Sequence, residues 1–174
     1  EELCNSLEAF GGFYRNLLSK GRDVIPVKNE IEMIKDYLDL QKLRYGNEIS
    51  YEIWVDEEIS NFKVLKMILQ PFVENSIIHG IHPKGQAGIV IVKGERKGNF
   101  LYFSISDDGV GMNQDTIAQL LGGIRENRKS FGVRGTIERM CIFYEMDIPY
   151  GINSSSSGTE IWFRLPVIEE HGGD

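Results

Sequence analysis

LQPFVENSIIHG, residues 69–80, decides how the rest of the chain is read. Helical spacing puts Leu65, Leu69, Phe72, Val73, Ser76 and Gly80 on one face, the pattern of a helix packed on a core. Asn75 and His79 fall outside that stripe. They are four residues apart, so an α-helix stacks them one turn above the other on a single flank. Packing asks for no polar flank there, and Glu74 does not join the apolar face either. The pattern predicts that something polar faces Asn75 and His79.

N-terminal to this helix the chain reads as two more. Leu3, Leu7, Phe10, Tyr14 and Leu17 recur at spacings of four and three, and SKGRD (19–23) breaks the pattern. Gly11 and Gly12 weaken that first helix by about 1 kcal/mol each relative to alanine. The second, VKNEIEMIKDYLDLQKLRYGN (27–47), has one stripe of Val27, Ile31, Ile34 and Leu38 and another of Met33, Tyr37 and Leu40. Two stripes predict two packing partners, as in a helical bundle completed by another chain. From Ile49 the period changes. ISYEIWV (49–55) alternates as a strand, GIVIVKGER (88–96) and NFLYFSIS (99–106) follow around a turn at Lys97-Gly98-Asn99, and YGINS and TEIWFRLPV close the chain. A short helix is expected from Gln114 to Leu121 and another over GTIERMCIFYE (135–145). Helices and strands that do not strictly alternate predict an α+β sandwich whose mixed sheet is covered on one face. The expected division is a helical segment over 1–46 and a globular domain over 47–174.

Composition narrows the function classes. Of 174 residues, 41% are hydrophobic and 26% charged, ordinary for a soluble folded chain. The 19 Lys+Arg against 26 Asp+Glu give a formal charge of −7, which argues against a nucleic-acid partner held through its phosphates. Cys4 and Cys141 have no metal-binding spacing and fall in apolar helical patterns, so buried free thiols are expected. No apolar run reaches the roughly 18 to 20 residues of a membrane helix, so no membrane contact is expected from these residues. The opening EELCNSLEAF starts mid-pattern without an initiator methionine, as in a piece of a longer protein.

Three further stretches carry chemistry. SISDDGVGM (104–112) delivers Asp107 at a strand end, followed by Gly109 and Gly111, where a backbone can approach a ligand without interference from a Cβ. SFGVRG (130–135) runs into a helix whose first N–H groups suit an anion such as phosphate. SSGTEIWFRLP (156–166) sets Gly158 and Thr159 at the start of the last strand. Each alone is an ordinary turn; their order is what is distinctive.

An Asn on a helix, then strand–Asp–x–Gly–x–Gly, then a glycine-rich segment ending at a helix, then Gly-Thr on a strand, resembles the Bergerat ATP-binding fold, a two-layer α/β sandwich. LQPFVENSIIHGI, DDGVGM, GVRGTIERM and GTEIWFRLP are similar to the N, G1, G2 and G3 boxes of sensor histidine kinases of the LytS/YesM type. EIEMIKDYLDLQKLRYGNEISYEI (30–53) is similar to the segment those kinases carry between phosphoacceptor helix and catalytic domain, and the resemblance covers about residues 3–167. It implies ATP and Mg²⁺ as ligands. Asn75 matches the Mg²⁺-coordinating Asn, His79 the N-box residue that reaches a phosphate, and Asp107 the acceptor for the adenine amino group. Gly109 and Gly111 match the first glycine box, Gly132 with Val133 the second, and Thr159 the threonine near the base. Glu74 is left between a metal-shell or base residue and a surface carboxylate.

The same resemblance implies a protein histidine kinase whose acceptor histidine lies upstream, because His79, His82 and His171 do not match its context. It implies a response regulator as partner, a homodimer at full length, and a place as the cytoplasmic portion of a bacterial inner-membrane sensor. Residues 118–134 are expected to form an ATP lid. Departures are Ser130, Gly132, Val133 and Gly135 where the family often reads G-x-G-L-x-N, and Ile78 where a basic residue is common; Arg128 and Lys129 are the cations nearest that role. Two alternatives stand beside the kinase. One is an ATP-binding or dimerisation module that has lost catalysis. The other is an ATPase related to gyrase or Hsp90, disfavoured by Pro71 where such enzymes place a general-base Glu.

Overall fold

The computed structural model describes residues 24–121 and 132–168. The expected helix from Leu3 to Leu17, Cys4, the SKGRD break, His171 and the central lid positions, including Gly122, Gly123, Arg128, Lys129 and Ser130, lie outside them. β1 (Val24–Pro26) leads into α1 (Val27–Tyr45). Pro26 flanks the first turn, where a missing N–H costs nothing, and Gly46 at φ +62° ends the helix with its N–H donating to Lys42 O. Val27, Ile34 and Leu38 are fully buried and belong to the same core as the sheet. Of the second stripe, Met33 and Tyr37 are half-buried, but Leu40 stays 61% exposed and neighbouring Leu43 84%.

The remaining strands are β2 (Ile49–Val55), β3 (Lys63–Leu65), β4 (Gly88–Lys97), β5 (Phe100–Asp107), β6 (Tyr150–Ser155) and β7 (Gly158–Pro166). β1 pairs with β3, and the others form a five-stranded sheet ordered β2-β4-β5-β7-β6. β2 and β4 are parallel and the other pairs antiparallel, giving the expected mixed sheet. Gly98 at φ +63° and Asn99 turn β4 into β5, as read from the sequence. Leu101, Phe103, Ile105 and Asp107 alternate toward the helices, so one apolar face ends in a carboxylate.

Helices cover that face: α2 (Gln70–Asn75), a π-helical turn (Ser76–Ile81), α3 (His82–Lys84), α4 (Gln114–Leu121) and α5 (Val133–Tyr144). Phe72 stacks on Phe163 at 5.0 Å between centroids, and Phe163 meets Phe103 at 5.7 Å. Burying each ring contributes about 2 to 3 kcal/mol, more than any surface ion pair here.

Three local expectations are corrected. Leu65 belongs to β3, not to the helical stripe, because Met67 at φ +59° turns the chain before the helix opens at Gln70. Helix α5 begins at Val133, two residues before GTIERM, since Gly132 is its N-cap. Cys141 is half-buried rather than buried, its Sγ accepting from the Ile148 N–H at 3.4 Å.

Candidate functional site

The 70–84 helix crosses the C-terminal end of β5, and glycines let the two backbones meet. A Cβ on Gly80 would lie 2.6 Å from Asp107 Oδ1, and one on Gly109 only 2.2 Å from the carbonyl carbon of Gly80. The Val110 N–H donates to Gly80 O at 3.0 Å. This contact falls within the π turn, a widened turn that recurs at functional sites. Asn75 immediately precedes that turn and His79 lies within it, so the simple one-above-the-other stacking of an α-helix is altered between them.

Beyond Gly109 the loop is fastened to the last hairpin. Gly111 has φ +74°, and a Cβ there would sit 1.7 Å from Ser155 O. Met112 N–H donates to Ser154 Oγ at 2.8 Å, and that hydroxyl lies 2.8 Å from Thr159 Oγ1. Thr159 stands opposite Asp107 across β5 and β7. The structure therefore gathers Asp107, Gly109, Gly111 and Thr159, which the sequence names from two stretches about fifty residues apart.

The two adjacent carboxylates behave differently. Burial pushes Asp107 above the ordinary aspartate range, against the Gly109 amide, the Ser76 hydroxyl and the Thr159 backbone, which all favour its ionised form. Its Oδ1 accepts from the Gly109 N–H at 2.9 Å. For Asp108, burial is outweighed: the Ile89 N–H at 2.8 Å and the Lys84 ammonium at 2.9 Å hold it below the ordinary range. Asp108 buttresses the loop while Asp107 faces the site.

On the helix, Asn75 is half-buried and His79 exposed. Glu74 is half-buried, and one of its carboxylate oxygens accepts from Gln70 Nε2 at 2.7 Å. Gly132 is exposed at the head of α5, its carbonyl accepting from both the N–H and the hydroxyl of Thr136 at 3.1 Å. Val133 is buried in the core, so its side chain is not available to a ligand. Sequence reasoning assigned Ser76 and Gly80 to the core face and missed their place beside Asp107. The signal was there: a serine and a glycine on an otherwise large apolar stripe leave room for another group.

No group of three or more His, Cys, Asp or Glu able to hold a metal occurs among the described residues. A protein-only Mg²⁺ cage is therefore absent from them, whereas a single carbonyl such as that of Asn75 fits an ion that takes its other ligands from phosphates and water.

A model of the histidine kinase-, DNA gyrase B-, and HSP90-like ATPase family matches residues 61–169, and a histidine kinase model matches residues 1–49. Sensor histidine kinase YpdA of Escherichia coli (strain K12) is 29% identical over 151 residues, covering 87% of this chain and 26% of that protein. Sensor histidine kinase YesM of Bacillus subtilis (strain 168) is 22% identical over 173 residues, covering 98% and 29%. The chain thus spans less than a third of the length of these curated relatives. Among solved structures, the histidine kinase domain of the Erythrobacter litoralis EL346 blue-light activated histidine kinase superposes with TM-score 0.61 at 15% identity, over 87% of this chain and 72% of that one. Histidine kinase ThkA in complex with response regulator protein TrrA gives TM-score 0.62 at 12% identity, over 97% and 50%. Those likenesses establish the fold, and since the ATPase model spans more than half of its residues, the chain belongs to the histidine kinase-, DNA gyrase B-, and HSP90-like ATPase family.

Proposed function

We propose that this chain is the ATP-binding catalytic part of a two-component sensor histidine kinase, and that it gives the γ-phosphoryl of ATP to a histidine on a segment upstream. The observation that carries the reading is the buried Asp107 carboxylate, set between Gly80, Gly109 and Thr159 at the mouth of β5 and β7. An ionised carboxylate only accepts, so it selects a ring with a donor, as adenine has in its amino group. Thr159 and Ser154 supply hydroxyls beside it. Gly109 and Gly111 let the loop backbone approach the nucleotide.

Asn75 would hold Mg²⁺ through its side-chain oxygen, and His79 would reach a phosphate from the exposed flank. An ion held there would supply neutralisation of the phosphate charge. Gly132 and the backbone of Val133 lie at the head of α5, where the N–H groups of a first helical turn suit the phosphates. Transfer breaks the bond between the γ-phosphorus and the bridging oxygen as a bond to a histidine nitrogen forms, and ADP leaves with the electron pair. The chain's contribution is positioning and charge neutralisation. Glu74 is tied to Gln70, and Pro71 occupies the place of a hydrolytic base, which favours transfer to a histidine over hydrolysis by activated water.

In this reading residues 1–46 are the end of the dimerisation and phosphotransfer region and 47–174 the ATP-binding domain. The exposed Leu40 and Leu43 suit pairing of two copies at full length, and a response regulator receives the phosphoryl group. No described helix is long and apolar enough to cross a membrane; the cytoplasmic placement at a bacterial inner membrane rests on the sensor kinase relatives.

Asn75→Ala tests the assignment. It should weaken Mg·ATP binding at least about tenfold, roughly 1.4 kcal/mol, and leave adenosine binding nearly unchanged, because the base site is formed by other residues. Titration calorimetry with and without Mg²⁺ reads both. Equal losses for adenosine and Mg·ATP would make Asn75 structural, and no Mg·ATP binding by the unsubstituted chain would overturn the proposal.

A further inference from the structure

Glu30 is 1% exposed in the first turn of α1, an unusual place for a carboxylate that the nucleotide site does not use. It accepts from the N–H of Met67 at 2.8 Å and of Leu69 at 3.0 Å, with the Ile68 N–H also directed at it. Leu69 is the N-cap of α2 and has no side-chain cap of its own. Glu30 therefore ties down the start of α2 from a different helix, pairing the N–H of its N-cap residue and those of the two residues that lead into it. The other side of the same turn is gripped from α5. Arg139 Nη2 donates to the carbonyls of Lys66 and Met67, and the Leu65 N–H donates to the Tyr144 hydroxyl at 3.3 Å.

A second contact lies at the far end of α1. Tyr45, its last residue, meets the ring of His82, the first residue of α3, at 4.3 Å between centroids and 55° between planes. Arg44 lies over the Tyr45 ring at 5.0 Å from its centroid. From Glu30 to Tyr45 is about 22 Å of α-helix at 1.5 Å per residue, and the stretch from Leu69 to His82 covers nearly as much. Start meets start and end meets end. The two helices run side by side in the same direction, joined at both ends, with the π turn between the two attachments.

We infer that α1 is a splint for the nucleotide helix, with Glu30 and Tyr45 as positioning residues that hold its two ends. Fixing both ends fixes the π turn, and with it the stand of Asn75, Ser76 and Gly80 against Asp107 and the nucleotide. Because α1 lies within the stretch matched by the histidine kinase model, residues 1–49, a displacement of that region reaches the ATP site through these two contacts. The inference rests on the proposed reading of the site as one for Mg·ATP.

The test compares the unsubstituted chain with Glu30→Gln, Glu30→Ala, Tyr45→Ala and Tyr45→Phe, measuring Mg·ATP affinity, thermal unfolding and hydrogen exchange on the same samples. Glu30→Ala and Tyr45→Ala should each weaken Mg·ATP about tenfold at a temperature where the chain is folded. Glu30→Gln keeps an oxygen for one N–H but turns an NH₂ toward the other, and should fall between. Tyr45→Phe keeps the ring and should bind like the unsubstituted chain. Exchange at residues 76–81 should quicken in both alanine variants, although neither substitution touches them. If Glu30→Ala does not fold, Glu30→Gln and the Tyr45 pair decide. Lower melting temperatures with unchanged Mg·ATP affinity and unchanged exchange at 76–81 would overturn the splint, leaving only structural residues. Failure of the unsubstituted chain to bind Mg·ATP would strike the proposed function instead, and exchange at 76–81 would then decide the splint alone.

Discussion

Asp107→Asn should erode the preference of this chain for ATP over GTP. Adenine presents an amino group at the position where guanine presents a carbonyl, and a carboxylate facing a carbonyl leaves two acceptors opposed. A buried mispairing of that kind costs about 1 to 3 kcal/mol, and more when one partner is charged. The unsubstituted chain should therefore bind ATP at least about tenfold tighter than GTP. An asparagine amide can rotate to offer either a donor or an acceptor, so the difference should shrink as ATP affinity falls. Equal affinities of the unsubstituted chain for the two nucleotides would sink the assignment of Asp107.

The same residue sets a pH dependence whose sign follows from its burial. Only the ionised carboxylate is a pure acceptor, and burial raises its pKa above the ordinary aspartate range despite the Gly109, Ser76 and Thr159 contacts. ATP affinity should thus decline, as pH falls, from a higher pH than an ordinary aspartate would give, and Asp107→Asn should flatten that decline. Folding runs the other way. A folded pKa above the unfolded one means that the stability linked to Asp107 is fully present below the unfolded pKa and is lost as pH rises through the folded value. The ionised state that binding needs is the one that folding alone disfavours.

Gly111→Ala should be severely damaging for a change of one methyl group. Its φ of +74° already disfavours an L side chain, and the added carbon would lie 1.7 Å from the carbonyl oxygen of Ser155. The obstructing atom is backbone, so no rotamer change can relieve it, and strain plus overpacking together should cost about 2 to 5 kcal/mol. Gly98→Ala is the control. Gly98 has φ +63° but nothing within 4 Å of the added carbon, so only the backbone term of about 1 to 2 kcal/mol applies. Thermal unfolding should place Gly111→Ala well below Gly98→Ala, with nucleotide binding lost in the former. Equal melting temperatures would mean that the loop does not press on the β6–β7 turn.

Long periodic elements were legible from sequence because one face of each is buried. ISYEIWV, the β4–β5 hairpin and Gln114–Leu121 fall where alternation and helical spacing put them. β1 and β3 are three residues each, too short to carry a period, and they exist because each completes the other's hydrogen bonding. The π turn escaped because a spacing of four fits both kinds of helix over so few residues. That Asp107, Gly109, Gly111 and Thr159 meet was legible through the order of their stretches, and the pairing of β5 with β7 brings them together. Glu30, Ser76 and Asp108 were not, since each gains its role from a partner distant in sequence: the Met67–Leu69 amides, the Asp107 carboxylate and Lys84. A lone Glu in the first turn of a helix looks the same in sequence whether it faces water or caps a neighbour.

The position of β7 in the sheet has a consequence for how the chain emerges during synthesis. β7 is made after β6, yet it lies between β5 and β6. Strands β2, β4 and β5 can pair as soon as they leave the ribosome, but β5 then keeps an open edge until some fifty further residues have been translated. At about 5 to 20 residues per second that interval lasts seconds, during which an apolar strand with unpaired backbone groups is exposed to other nascent chains. Thr159 reaches Asp107 only when β7 docks, so the corner these two residues form and the protection of that edge arrive in the same event. A growing chain can therefore complete the proposed adenine site only after the gap that makes it vulnerable to aggregation has closed.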